Sequence, residues 1–238
     1  MNEINSFKKG IKAGLPICIG YFPVSFAFGI FSVENGLSIL QAVLISLTNL
    51  TSAGQLAAVP IMVGGGTVIE LILSQLVINS RYSLMSISLS QKLGKSIKIP
   101  HRFLIAFGNT DEIFALAMAR IEPLTVPFML GLGTLPIVGW TLGTLCGALA
   151  GSILPVSIQA ALGVMLYGMF IAIVVPPAKQ EKPVLAAVLL AMAFSTAFTL
   201  VPLLKQVSAG ISIVICTVAA AAICAALFPI PEEEEATA

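Results

Sequence analysis

Long apolar runs separated by short polar loops account for most of the chain. Candidate membrane segments, each near the roughly 20 apolar residues needed to cross a bilayer, fall at 11–33, 38–63, 67–90, 125–153, 157–177, 183–204 and 208–229. A further segment at 102–120 is too polar for a simple span. This pattern predicts an all-α polytopic membrane helix bundle with seven to eight membrane segments, some of them broken or re-entrant. Residues 1–229 read as one transmembrane domain, and 230–238, ending PEEEEATA, as a disordered acidic tail. No soluble domain and no solenoid repeat is evident.

Polar and helix-breaking residues interrupt several of these runs. The first contains Pro16, Gly20, Pro23 and Gly29, and two prolines in one span predict a kinked or a broken helix, since each removes a backbone hydrogen bond. The second carries Thr48, Asn49, Thr51, Ser52, Gly54 and Gln55 at mid-depth. Lipid cannot satisfy freed backbone groups, so such a break faces a cavity or protein. Gly54 and Gln55 are placed to open a half-helix whose unpaired N–H groups suit a carboxylate. The third candidate contains Leu71–Ser90, read as one helix with two polar stripes. Gln75, Asn79, Ser83, Ser86 and Ser90 form one, and Ser74, Arg81 and Ser88 lie roughly opposite. Later, Gly139, Gly143, Gly147 and Gly151 recur every four residues, a ladder that lets a second helix approach closely, within the bundle in preference to a subunit contact. Gly163 and Gly168 extend this reading, and the Ala-rich last span reads as tightly packed or partner-facing.

Composition agrees with a membrane protein. Hydrophobic residues make up 58% of the 238 and charged residues 10%, against about 25% charged in a soluble domain. With a net charge of +1 and no basic groove interleaved with aromatics, nucleic acid is excluded as a partner. The basic amino terminus before an apolar run predicts an uncleaved first helix. Lys8, Lys9 and Lys12 predict a cytoplasmic amino terminus, and Lys92, Lys95, Lys98 and Arg102 a cytoplasmic loop. Both hold only if one of the first three segments is re-entrant. Cys18, Cys146, Cys216 and Cys224 lie in apolar segments and His101 in a loop, so the reading is buried free thiols with no metal site.

The membrane charges carry the candidate chemistry. A charge at bilayer depth costs at least about 2.5 kcal/mol and is tolerated when it faces protein or water, so Arg81 requires a counter-charge. Asp111 and Glu112 supply one, as a proton, ion or ammonium site. The same residues also fit a half-helix start, with Asn109 as cap and Glu112 at the third helical position. Glu70 reads as solvated at the interface, and Tyr82 either as a ligand contact or an interfacial anchor. Catalysis is disfavoured, because a serine nucleophile has no mid-membrane base and adjacent carboxylates point about 100° apart on a helix.

TSAGQLAAV at 51–59, LVINSRYSLMSISL at 76–89 and NTDEIFALA at 109–117, following GLPICIGYFPVSFAFG, resemble the AzlC family of branched-chain amino acid exporters along essentially the whole chain. The resemblance implies a multi-pass bacterial inner-membrane protein that works with a much smaller membrane subunit, AzlD, and uses no cofactor. It implies export of leucine, isoleucine, valine and sometimes methionine. The family commonly has Arg-His where this chain has Arg81-Tyr82, so a proton role for that histidine does not transfer. The expected substrate site comprises Gly54, Gln55, Asn79, Arg81 and Tyr82, with Asp111 or Glu112 meeting the ammonium or a proton. The rival expectation is a membrane-embedded binding or regulatory subunit that moves nothing itself.

Overall fold

The computed structural model describes residues 6–94, 97–151 and 153–229. Lys95 of the basic loop and the predicted tail at 230–238 lie outside these. Among the described residues the chain forms eleven α-helices and no strand. In order they are α1 (Phe7–Glu34), α2 (Ile39–Thr48), α3 (Ala53–Val63), α4 (Val68–Ile78), α5 (Ser80–Lys92), α6 (Ile99–Phe107), α7 (Asp111–Ala119), α8 (Val126–Ala150), α9 (Val156–Gln180), α10 (Lys182–Leu200) and α11 (Ala209–Leu227). A 3₁₀ turn, Leu204–Gln206, precedes the last helix. These group into eight segments of an all-α membrane bundle, three of them interrupted: α2/α3 at 49–52, α4/α5 at Asn79 and α6/α7 at 108–110.

The Asn79 interruption corrects the expectation of one continuous helix over Leu71–Ser90. Asn79 closes α4 and opens α5. Each polar stripe is therefore divided between two helices, with Ser74 and Gln75 on α4 and Arg81 and the later serines on α5. Helix α1, by contrast, runs unbroken for 28 residues through Pro16 and Pro23, which excludes the broken-helix alternative. It is gripped along its length by α8, and this packing outweighs the two lost hydrogen bonds.

That grip follows from small residues. A side chain on Gly10, Gly14 or Gly29 would overlap the Phe128, Leu132 or Thr144 carbonyl of α8. Reciprocally, one on Gly131, Gly143 or Gly147 would overlap the Phe7, Phe22 or Phe26 carbonyl of α1. Gly139 meets Cys18 and Gly151 approaches Ile30. The four-residue ladder is thus an internal interface. Lipid gives apolar helices no hydrophobic reason to associate, so close backbone approach must supply the packing energy. At Gly168 a Cβ would meet nothing, which removes it from that role.

Two buried clusters flank this axis. Leu89, Leu93, Ile105, Ile113, Ala117, Leu124, Phe128, Met129 and Leu132 join the interrupted segments to α8. Ala27, Phe28, Leu37 and Val59 fill the other side. Helix α10 has no buried residue and is apolar but for Lys182 at its start and Ser195, Thr196 and Thr199 near its end, as a lipid-facing or partner-facing helix would be.

The basic loop is also structural. Lys92 Nζ donates to the Met118 and Arg120 carbonyls, both at 2.6 Å, capping the end of α7. Arg102 donates to the Ser90, Gly94 and Ile97 carbonyls around the end of α5. Helix ends leave carbonyls without partners, and these cations satisfy them.

Two expectations need correction here. Glu70 is not solvated: it is 6% exposed, and its Oε1 accepts from Gly210 N at 2.8 Å, at the start of α11. An unpaired amide and a helix amino terminus together stabilise a carboxylate in that position. The cysteines are free, but only Cys216 is buried; Cys146 is exposed and Cys18 and Cys224 are partly so, because in a bilayer a thiol can face lipid at little cost.

Candidate functional site

The three interruptions converge on one cavity of about 660 Å³. Ser52 and Ala53 at the start of α3, Arg81 and Tyr82 in the first turn of α5, and Thr110, Asp111 and Glu112 at the start of α7 all line it. None of these three helix starts is capped by the side chain of its own preceding residue, Ser52, Asn79 or Thr110. Three helix amino termini, each with unpaired N–H groups and a partial positive charge, therefore surround the same space. The opposite wall is apolar and comes from α1, α8 and α9, with Ile17, Val24, Trp140, Phe170 and Ile173.

The counter-charge demanded by Arg81 is Asp111. Arg81 Nη1 forms an ion pair with Asp111 Oδ2, and Nη2 donates to the Tyr82 hydroxyl at 3.1 Å. The guanidinium also lies over the Tyr82 ring, 4.7 Å from its centroid, within cation–π range. Tyr82 thus faces the cavity rather than an interface. The paired side chains remain 45% and 40% exposed, so a ligand in the cavity can reach both. Glu112 accepts from the Tyr21 hydroxyl, which also pairs with Thr110 Oγ1 at 2.6 Å. Asp111 also sits in the first turn of α7, where the helix dipole favours a carboxylate.

Gly54, Gln55 and Asn79 lie outside the cavity wall. Gln55 is fully buried: its amide donates to Ser46 Oγ and accepts from Trp140 Nε1, both at 3.0 Å. It braces Trp140, whose ring meets Tyr21 edge-on at 5.2 Å. At the half-helix, Ser52 and Ala53 border the cavity in place of the expected Gly54 and Gln55. Asn79 Nδ2 donates to Gln75 Oε1 at 3.1 Å, beneath the site. The cap of α7 is Thr110, one residue beyond the expected Asn109. Asn109 is 3% exposed, and its amide has no hydrogen-bond partner among the described residues.

Sequence reasoning missed Tyr21, Trp140 and Thr110. Tyr21 sits between Pro16 and Pro23, and Trp140, the chain's one tryptophan, follows Gly139 in the ladder. An isolated polar aromatic in an apolar, glycine-rich run was the available signal. Ser52 offered none. It has φ +51° and is the one non-glycine residue with positive φ among those described.

Such a conformation costs about 1–3 kcal/mol unless the residue is glycine. Ser52→Gly is accordingly expected to raise thermal stability by about 1 kcal/mol in a detergent melting assay, whereas Ser52→Val lowers it. Equal melting of all three would show that Ser52 is unstrained.

By sequence, the chain is similar to known membrane proteins. The AzlC protein family matches residues 16–154, which span all three interruptions and the α1–α8 interface from Pro16 onward. The chain is 32% identical to the inner membrane protein YgaZ of Escherichia coli over 82% of its own length and 83% of that protein's. An uncharacterized membrane protein of Archaeoglobus fulgidus is 33% identical, over 73% and 76% of the two chains. The branched-chain amino acid transport protein AzlC of Bacillus subtilis is 23% identical, over 74% and 70%. No solved structure matches the chain. Family match and relatives together cover the helices that build the cavity, and the chain belongs to the AzlC family.

Proposed function

We propose that the protein exports aliphatic amino acids, among them leucine, isoleucine and valine, as an ion-coupled secondary transporter of the bacterial inner membrane. The observation that carries this reading is the Arg81–Asp111 pair, set among three helix amino termini and open to a cavity with an apolar wall. A zwitterion entering there replaces one ion pair with two. Its carboxylate takes Arg81 and the N–H groups around Ser52 and Ala53, and its ammonium takes Asp111 or Glu112. Transporters of this general kind bind substrate carboxylates at such broken-helix ends.

Side-chain selection then falls to Ile17, Val24, Phe170 and Ile173. An apolar wall discriminates by only about 1–3 kcal/mol per methylene, so a broad set of aliphatic side chains follows. The name of the Bacillus subtilis relative supports branched-chain substrates. A small AzlD-type membrane subunit completes the transporter, and α10, with no buried residue, leaves a full helix face for it. The amino terminus is cytoplasmic, on the strength of Lys8, Lys9 and Lys12.

Cells loaded with a leucine- or valine-containing dipeptide test this. Those expressing the chain with its small subunit are expected to lose the freed amino acid rapidly, and those lacking the chain to retain it. Equal loss in both would leave a non-transporting binding or regulatory subunit as the reading.

A further inference from the structure

An apolar groove between α6 and α8, beside the first residue of α1, encloses about 350 Å³ and shares no lining residue with the substrate cavity. Phe7, Leu104 and Phe107 line it and are each about half exposed, so it opens at the membrane face. The one polar side chain in its described lining, Thr134, donates to the Leu130 carbonyl of its own helix at 2.7 Å. The side chains of the wall therefore ask for an apolar occupant.

Two glycines keep the groove open. A Cβ on Gly108 would stand 3.8 Å from Gly133 Cα and 3.7 Å from Ile137 Cδ1. Gly133 is buried, yet a Cβ there would meet nothing within 4 Å. Packed interiors leave few such spaces, so this position marks a slot between two helices and not a closed seam. A slot of this volume is narrower than a helix about 10 Å across, whereas a flexible hydrocarbon chain fits it.

The rim is basic. Helices α1 and α8 run side by side in one direction, with Phe7 against Gly131 and Phe26 against Gly147. Helix α6 starts at the same end, because Leu93 of the preceding loop pairs with Leu124, just before α8. Lys8 directly follows the groove-lining Phe7. His101, Leu104, Ile105 and Gly108 fall on one stripe of α6, so His101 continues the groove wall one turn toward the helix start, next to Lys98. Lys8, Lys9, Lys12 and Lys98 are exposed, whereas Lys92 and Arg102 are engaged by helix-end carbonyls.

We infer that the groove holds one acyl chain of an anionic phospholipid, from the leaflet on the amino-terminal side, with its phosphate between Lys8 and the turn from Lys98 to His101. Lipid chains are as apolar as the groove, so burial by itself selects no lipid. The basic rim selects charge, by about fivefold per lysine near an anionic surface. The chain braces the end of α6 at Gly108, where the interruption begins that leads to Asp111 and Glu112 of the cavity. This site does not rest on the export reading.

The test is melting of the purified full chain in detergent, titrated with phosphatidylglycerol, with phosphatidylcholine of the same acyl chains, or with glycerol phosphate. Phosphatidylglycerol is expected to raise the melting temperature saturably, by about 5 °C or more at a hundredfold excess over Kd, and the other two to leave it unchanged. Gly133→Leu fills the slot from a position with no neighbour at its Cβ, and should fold but not respond to phosphatidylglycerol. Lys8→Gln combined with Lys98→Gln should raise the apparent Kd about 25-fold. Equal shifts from both phospholipids, a shift from glycerol phosphate, a full response in Gly133→Leu or an unchanged Kd in the double variant would each overturn the site. If Gly133→Leu does not fold, phosphatidylglycerol with a photoreactive acyl chain decides on the wild type: labelling of 104–108 or 130–137 supports the groove, and labelling only elsewhere refutes it. Loss of a dimer or of a copurified small subunit in Gly133→Leu, with the lipid response intact, would assign the groove to a protein helix and overturn the proposal.

Discussion

Arg81→Gln is expected to lower export of leucine or valine at least a hundredfold while the protein remains in the membrane at normal abundance. The substitution removes the one cation that faces the cavity from the start of α5 and leaves Asp111 without its partner. Truncating one member of a fully desolvated charge pair typically costs about 2–5 kcal/mol, and the loss from the pair itself is smaller here, where the two side chains are 45% and 40% exposed. Loss of the substrate carboxylate's own partner adds to this. Arg81→Lys keeps the charge but not the fork that spans Asp111 and the Tyr82 hydroxyl, and should retain partial activity. Asp111→Asn should impair export as strongly, because it removes both the guanidinium's partner and the candidate ammonium site. The reciprocal exchange, Arg81→Asp with Asp111→Arg, should stay inactive despite restoring the pair, since the charges would then meet the zwitterion reversed. Efflux from dipeptide-loaded cells, normalised to membrane abundance, measures all four variants. Near-normal flux in Arg81→Gln would remove the cavity from the mechanism.

The largest effect on folding is expected at Gly147. Its Cβ position coincides with the Phe26 carbonyl, which belongs to the backbone of α1 and cannot rotate aside. Gly147→Leu must therefore separate α1 from α8 over several turns, breaking the interface on which the bundle is built. Overpacking costs about 1–3 kcal/mol where neighbours can adjust and more where they cannot, so about 3 kcal/mol or more is expected here. Folded yield and melting temperature in detergent provide the measurement. Gly168→Ala, with nothing near its Cβ position, should behave as wild type. Equal stability of the two variants would show that α1 and α8 are not in close backbone contact.

How much of this was legible beforehand differs from element to element. The number of membrane segments follows from apolar run length, because hydrocarbon thickness imposes it directly. The interruption between α2 and α3 was legible because Asn49, Thr51, Ser52 and Gly54 stand together in an apolar run. The break at Asn79 was not. One asparagine between apolar and serine-rich turns is compatible with continuous helix, and the surrounding packing decides otherwise. The counter-charge for Arg81 was narrowed to Asp111 or Glu112 by the cost of an unpaired membrane charge. Only the start of α7 at Asp111 selected the first and sent Glu112 to Tyr21.

The sequence by itself determined the class of protein, the depth of its charges and the residues that must find partners, since solvation energy in a bilayer depends on residue type and position along the run. Tertiary structure alone decided which atoms meet. It moved the helix-end amides from Gly54 and Gln55 to Ser52 and Ala53, buried Gln55 behind Trp140, and brought Tyr21 of α1 to Glu112 of α7. The physical reason is that these contacts join segments tens of residues apart. Their geometry is set by how closely the glycine faces of α1 and α8 let two backbones approach, and local pattern carries no record of that distance.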